Sequence, residues 1–153
     1  MFALVDGNNF YASCEQVFQP HLRAKPLVVL SNNDGCAIAR CAQAKALGIG
    51  MGQPAHQLVE YVKRFGLQMR SANFGLYGDM SARVVSVLRE FCPRIEVYSI
   101  DESFLDLSGI RERLEFCHDL RFSIRQWTGI PCCIGIGPSK TLAKLANKWA
   151  KKN

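Results

Sequence analysis

Three acidic side chains stand where strands should end. Asp6 closes the apolar run at residues 2–5, and Asp101-Glu102 separates two β-rich stretches at 95–100 and 104–107. Sheet ends gather side chains from distant parts of a chain, so these carboxylates can meet at one rim. Three such charges in one place repel and raise the apo-state energy unless a cation relieves them. Mg²⁺ prefers carboxylates together with substrate phosphates, and two ions roughly 3.5–4 Å apart would activate an attacking oxygen and stabilise a leaving pyrophosphate. On residue types alone Asp6 could equally be a turn or helix-capping residue and Asp101-Glu102 an exposed hairpin tip. Both readings stay open at this level.

The last helical stretch carries Lys140, Lys144, Lys148 and Lys151 on one side, with Leu142, Leu145, Ala146 and Trp149 on the other. The spacing predicts a packing apolar face, with Trp149 in the core, and a cationic face able to neutralise triphosphate charge. A solvated lysine face is the plainer alternative. Asn8-Asn9-Phe10-Tyr11 follows Asp6 directly. Its backbone amides near a helix start could hold phosphate oxygens, and a tyrosine there could lie under a sugar and collide with a 2′-hydroxyl. Core aromatics are the alternative for Phe10 and Tyr11. Arg40 and Lys45 could reach phosphates or be surface charges, and His21, His56 and His118 show no ligand spacing.

Local patterns supply the elements that must position these groups. Strand, turn and helix open the chain, and residues 27–30 form a second strand. The alanine-rich stretch 36–47, stopped by Gly48, predicts a short helix, and Leu58, Val59, Val62 and Phe65 another, ended by Gly66. An amphipathic helix begins at Asp79 and is broken by Pro93. A hairpin at 95–107, a long helix at 110–127, a strand at 132–136 and a helix from Ser139 follow. This order suits an α+β, ferredoxin-like body with a mostly antiparallel sheet and a small helical insert, rather than a doubly wound parallel sheet.

Composition sets the outer limits. The chain has 153 residues, 48% hydrophobic and 21% charged, which excludes intrinsic disorder and coiled coil. Nineteen basic against thirteen acidic residues give a net charge of +6, favouring a polyanionic partner. Asp6 leaves no room for a signal peptide and no apolar run reaches membrane-spanning length, so a cytoplasmic protein is expected. Seven cysteines without metal-site spacing are expected to be reduced and mostly buried.

Five segments together are specific: VDGNNFYASCE at 5–15, NNDGCAIAR at 32–40, AKALG at 44–48, YSIDESFLDL at 98–107 and GIGPSKTLAKLAN at 135–147. Over the whole chain the sequence resembles the Y-family translesion DNA polymerases, nearest to the DNA polymerase V branch and its plasmid-borne relatives. The resemblance implies a palm at 1–30 and 79–153, a fingers insert at 31–78, and an absent thumb and little finger. It implies Asp6, Asp101 and Glu102 as catalytic metal ligands with the Gly7 carbonyl, and two Mg²⁺ ions for which Mn²⁺ substitutes. It also implies Phe10, Tyr11, Lys45 and Lys144 as nucleotide contacts, with Tyr11 the steric gate against ribonucleotides. Ala42 and Lys45 stand where the family often has a tyrosine and an arginine, so Lys45 would act as a point charge without a bidentate fork. The implied activity is error-prone transfer from dNTP to a primer 3′-hydroxyl on primer-template DNA, in DNA repair and the SOS response. UmuD-type accessory subunits and a recombinase filament are the implied partners of a full-length protein. The alternative is a non-catalytic remnant that binds DNA or accessory subunits.

Overall fold

A computed structural model describes residues 1–152. The elements in chain order are β1 (Phe2–Gly7), α1 (Phe10–Phe18), β2 (Leu27–Leu30), β3 (Ala37–Arg40), α2 (Ala42–Ala46), α3 (Val59–Phe65) and β4 (Gln68–Ser71). They continue with α4 (Phe74–Phe91), β5 (Ile95–Val97), β6 (Glu102–Asp106), α5 (Arg113–Thr128), β7 (Cys132–Gly137) and α6 (Lys140–Lys152). The chain divides into two compact units, Met1–Asn8 with Gly78–Asn153 and Asn9–Tyr77.

The first unit is built on a four-stranded sheet in the order β5-β6-β1-β7, every neighbouring pair antiparallel. This is the split β-α-β plan anticipated from the element order. Strand β1 is central, and its side chains alternate between two cores as a strand's period of two requires. Ala3 and Val5 join Leu105, Leu107, Val87, Leu88, Leu120 and Ile124 beneath α4 and α5. Leu4 packs on the opposite face with Phe104 and Ala143 of α6.

Helix α6 lies against the sheet at van der Waals contact because β7 carries glycine where the two backbones meet. A Cβ built on Gly135 would come 2.2 Å from the Asn147 nitrogen, and one on Gly137 would come 2.6 Å from the Ala143 nitrogen. Only small side chains fit this interface, so Ala143 and Asn147 face the sheet. Asn147 Nδ2 donates to the carbonyls of Leu4 and Cys133 at 3.1 and 2.9 Å, fastening the helix across two strands. The expected orientation of α6 is therefore corrected. Leu145 is 61% exposed and Trp149 is 71% exposed, because a bulky face could not approach the glycines.

The second unit holds a three-stranded sheet in the order β3-β2-β4, antiparallel between β2 and β3 and parallel between β2 and β4. Leu27, Val28, Val29 and Leu30 are all buried, the continuous apolar pattern of a central strand. This insert is mixed rather than purely helical. The expected helix at 36–47 survives only as α2, since Ala37–Arg40 pairs with β2 as β3 and pairing overrides alanine's helix preference. Strand β4 had no apolar run to reveal it. Residues 9–30, expected with the first body, cluster with the second because β2 takes both its partners there.

All seven cysteines are free, five of them buried. Burial pushes the thiols of Cys14 and Cys132 up to about 12 and that of Cys117 up to about 11. Thiolate is the reactive form, so these three should resist iodoacetamide at pH 7.5. Half-buried Cys36 and Cys133 should label first. Peptide mapping showing Cys14 or Cys132 modified as fast as Cys36 in native protein would contradict this burial.

Candidate active site

Sheet register assembles the acidic rim. Strand β1 pairs with β6 so that Asp6 is the direct partner of Glu102, and the Gly7 amide donates to the Asp101 carbonyl at 2.9 Å. Cross-strand partners project to the same face, so Asp6 and Glu102 point to the side occupied by α6. The turn before β6 is fixed by three groups. The amides of Tyr98 and Ser99 donate to the Glu102 carbonyl at 3.0 and 3.1 Å, and Ser81 Oγ donates to the Ile100 carbonyl at 2.6 Å. Ser99 Oγ lies 3.0 Å from Asp101 Oδ1 and 3.2 Å from Glu102 Oε2, with one proton to donate to one or the other.

A cavity of about 480 Å³ opens at this rim, lined by Leu4, Asp6, Glu102, Thr141, Lys144, Leu145, Asn147, Lys148 and Lys151. Its floor is acidic and one wall is a row of ammonium groups. Lys151 Nζ reaches Asp6 Oδ2 at 2.5 Å, while Lys144 Nζ stands 5.0 Å from the centroid of the Tyr98 ring. Lys140 is drawn away, pairing with Glu96 and lying 5.8 Å from the Phe104 ring centroid. Three lysines of the stripe read from the sequence, Lys144, Lys148 and Lys151, thus line the cavity, and the one that touches a carboxylate of the rim is Lys151, which spacing alone did not single out from Lys144.

Asp6 is 6% exposed, and its carboxyl is held above the ordinary aspartate value. Burial is the main cause. The hydrogen bond and charge of Lys151 pull the other way, and the charges of Asp101 and Glu102 add to the rise. Asp6 Oδ1 is buried without a hydrogen-bond partner. An orphaned acceptor of this kind costs about 1–3 kcal/mol, which a bound cation would remove. Among the described residues no three acidic, histidine or cysteine side chains close into a ready ligand set. Lys151 engages one oxygen of Asp6, and Ser99 lies between the carboxylates of Asp101 and Glu102. An all-oxygen donor set with one unmet buried oxygen fits a hard divalent ion such as Mg²⁺.

The remaining expected residues lie in the second unit. Phe10 is a buried core residue at the start of α1, whose first amides have no intrahelical acceptor. Asn9 enters this helix in the left-handed region, at φ 47°, and its Oδ1 accepts from Lys45 Nζ. Lys45 is therefore tied to the first turn of α1. The Tyr11 ring stacks on Tyr77 with centroids 4.6 Å apart and planes 19° apart. Phe74 stands edge-on to both.

A model of the impB/mucB/samB family matches residues 5–148. Protein ImpB of Salmonella typhimurium is 52% identical, the match covering 99% of this chain and 36% of that protein. Protein UmuC of Salmonella typhimurium strain LT2 is 51% identical, with coverages of 99% and 37%. The chain spans little more than a third of the length of these relatives. Among solved structures, the insertion ternary complex of Dbh DNA polymerase superposes with a TM-score of 0.88 at 26% identity, covering 97% of this chain and 46% of that one.

Proposed function

The chain belongs to the impB/mucB/samB family, and we propose that it carries the nucleotidyl-transfer centre of a Y-family DNA polymerase. In this reading the first unit is the palm and the second the fingers. The observation that carries it is the rim itself: Asp6 opposite Glu102, Asp101 beside them, and a lysine wall across the cavity.

Asp6, Asp101, Glu102 and the Gly7 carbonyl would hold divalent cations, which when bound supply Lewis-acid activation of the primer 3′-oxygen and charge neutralisation at the leaving pyrophosphate. Every other part falls to the chain. The α6 lysines offset triphosphate charge, with Lys151 joining Lys144 because it already reaches the rim. The amides of Phe10 and Tyr11 and the ammonium of Lys45 hold phosphate oxygens, and the Tyr11 ring excludes a 2′-hydroxyl. Ser99 keeps the two adjacent carboxylates oriented. The substrates are dNTP and primer-template DNA, consistent with the +6 net charge. The setting proposed for a protein of the relatives' full length is translesion synthesis in the SOS response, with UmuD-type subunits and a recombinase filament as partners.

The test uses binding rather than turnover. Mn²⁺ titrated into the 153-residue chain with dATP should give metal-linked nucleotide binding, and Asp101→Ala should weaken it at least about tenfold. Equal binding by parent and variant would favour the non-catalytic remnant. DNA affinity should fall with a steep negative slope on log salt, as phosphate contacts by lysines require.

A further inference from the structure

Glu15 is the buried acid that the proposed reaction leaves without a role. It is 8% exposed, on α1, one helical turn after Tyr11, so the two side chains share a helix face. Tyr77, fully buried in the first turn of α4, meets both. Its hydroxyl donates to Glu15 Oε1 at 2.8 Å, and its ring is the surface on which Tyr11 stacks. Burying a carboxylate is costly, and an aliphatic side chain would fill the same space without that cost. What the carboxylate adds is a fixed point. Stacking alone lets two rings slide over one another, whereas a hydrogen bond at the far end of the Tyr77 ring sets where the ring lies along its own axis.

We propose that Glu15 is a positioning residue for sugar selection: by holding the Tyr77 hydroxyl it fixes the platform that sets the height and tilt of the Tyr11 ring. The inference rests on the reading of Tyr11 as the sugar gate and adds to it the group that keeps the gate in place. Phe74, edge-on to both rings at 5.9 Å, limits tilting but offers no polar anchor. Discrimination against ribose therefore depends on a hydrogen bond remote from the nucleotide.

The experiment compares parent, Tyr11→Ala, Glu15→Gln, Glu15→Leu, Tyr77→Phe and the Glu15→Leu/Tyr77→Phe double variant. Three quantities are read on the 153-residue chain: the thermal midpoint, the ratio of ATP to dATP dissociation constants with Mn²⁺, and the NMR shifts of the Tyr11 ring protons. Glu15→Gln keeps an acceptor and should retain the parent ratio and shifts. Glu15→Leu and Tyr77→Phe should each lower the ratio about fivefold to tenfold, move the Tyr11 signals towards unstacked values and lower the midpoint, since each leaves a buried polar group unpaired.

The double variant separates positioning from stability. With both polar groups gone its midpoint should recover, while the ratio and the Tyr11 shifts should stay altered. Recovery of all three would reduce Glu15 to a structural residue and overturn the proposal, as would parent-like Tyr11 shifts in Glu15→Leu. Failure of the gate reading has a different signature. If Tyr11→Ala matches the parent ratio, Tyr11 does not select the sugar and the selection role assigned to Glu15 falls with it.

Discussion

Gly135→Ala is expected to unseat α6 and cost about 3 kcal/mol or more of stability. The new methyl would sit 2.2 Å from the Asn147 nitrogen and 2.4 Å from the Ala143 oxygen. These are backbone atoms within a helix, so no rotamer change can make room. The helix must lift, breaking the Asn147 hydrogen bonds to β1 and β7 and carrying Lys144, Lys148 and Lys151 away from the rim. Gly78→Ala is the matching control. Gly78 lies inside α4 with nothing within 4 Å of its added Cβ, so alanine there should stabilise by about 0.5–1 kcal/mol. Urea denaturation of both variants settles the matter: a midpoint for Gly135→Ala equal to the parent's would show that α6 is not seated on those glycines.

Asp6→Asn should abolish metal-linked nucleotide binding, cut any nucleotidyl transfer by roughly 10²-fold or more, and yet leave the metal-free protein more stable at neutral pH. The sign follows from the raised carboxyl. An acid whose folded value lies above its unfolded one binds more protons folded than unfolded in that interval, so its contribution falls as pH rises through it and the full deficit persists above. Asparagine removes the deficit. The variant's thermal advantage should therefore be present at pH 7 and shrink as pH drops towards about 4, near the unfolded aspartate value. Mg²⁺ or Mn²⁺ should raise the midpoint of the parent only. A neutral-pH midpoint below the parent's without metal would mean that the Lys151 ion pair outweighs burial and the neighbouring acids. Loss of stability alongside function is the usual outcome of removing a buried salt bridge, and the opposite sign here would mark a site strained for a ligand.

Periodicity and turn chemistry made much of the first unit legible, together with α1, the helix that opens the second. The strand-turn-helix opening, the 95–107 hairpin, the long helix after it and the final helix each combine a clean apolar pattern with a Gly, Pro or Asp-rich boundary. The second unit was harder. Its Ala37–Arg40 strand carries helix-forming residues, and β4 at Gln68–Ser71 is half-exposed with no apolar run. Both become strands through pairing with Leu27–Leu30, a contact across sequence separations that local preference does not register.

By itself the sequence determined which side chains are available: carboxylates at strand ends, a basic helix of period near 3.6, and an aromatic pair after Asp6. Their types and spacing follow from local rules, and local rules can be read in one dimension. Only the tertiary structure decided that Asp6 faces Glu102, that Lys151 reaches the rim, and that Tyr11 stacks on Tyr77, whose hydroxyl donates to Glu15. Each of these depends on strand register or on the rotation of a helix about its axis. Those are set by close contacts such as Gly135 against Asn147, between residues far apart in the chain.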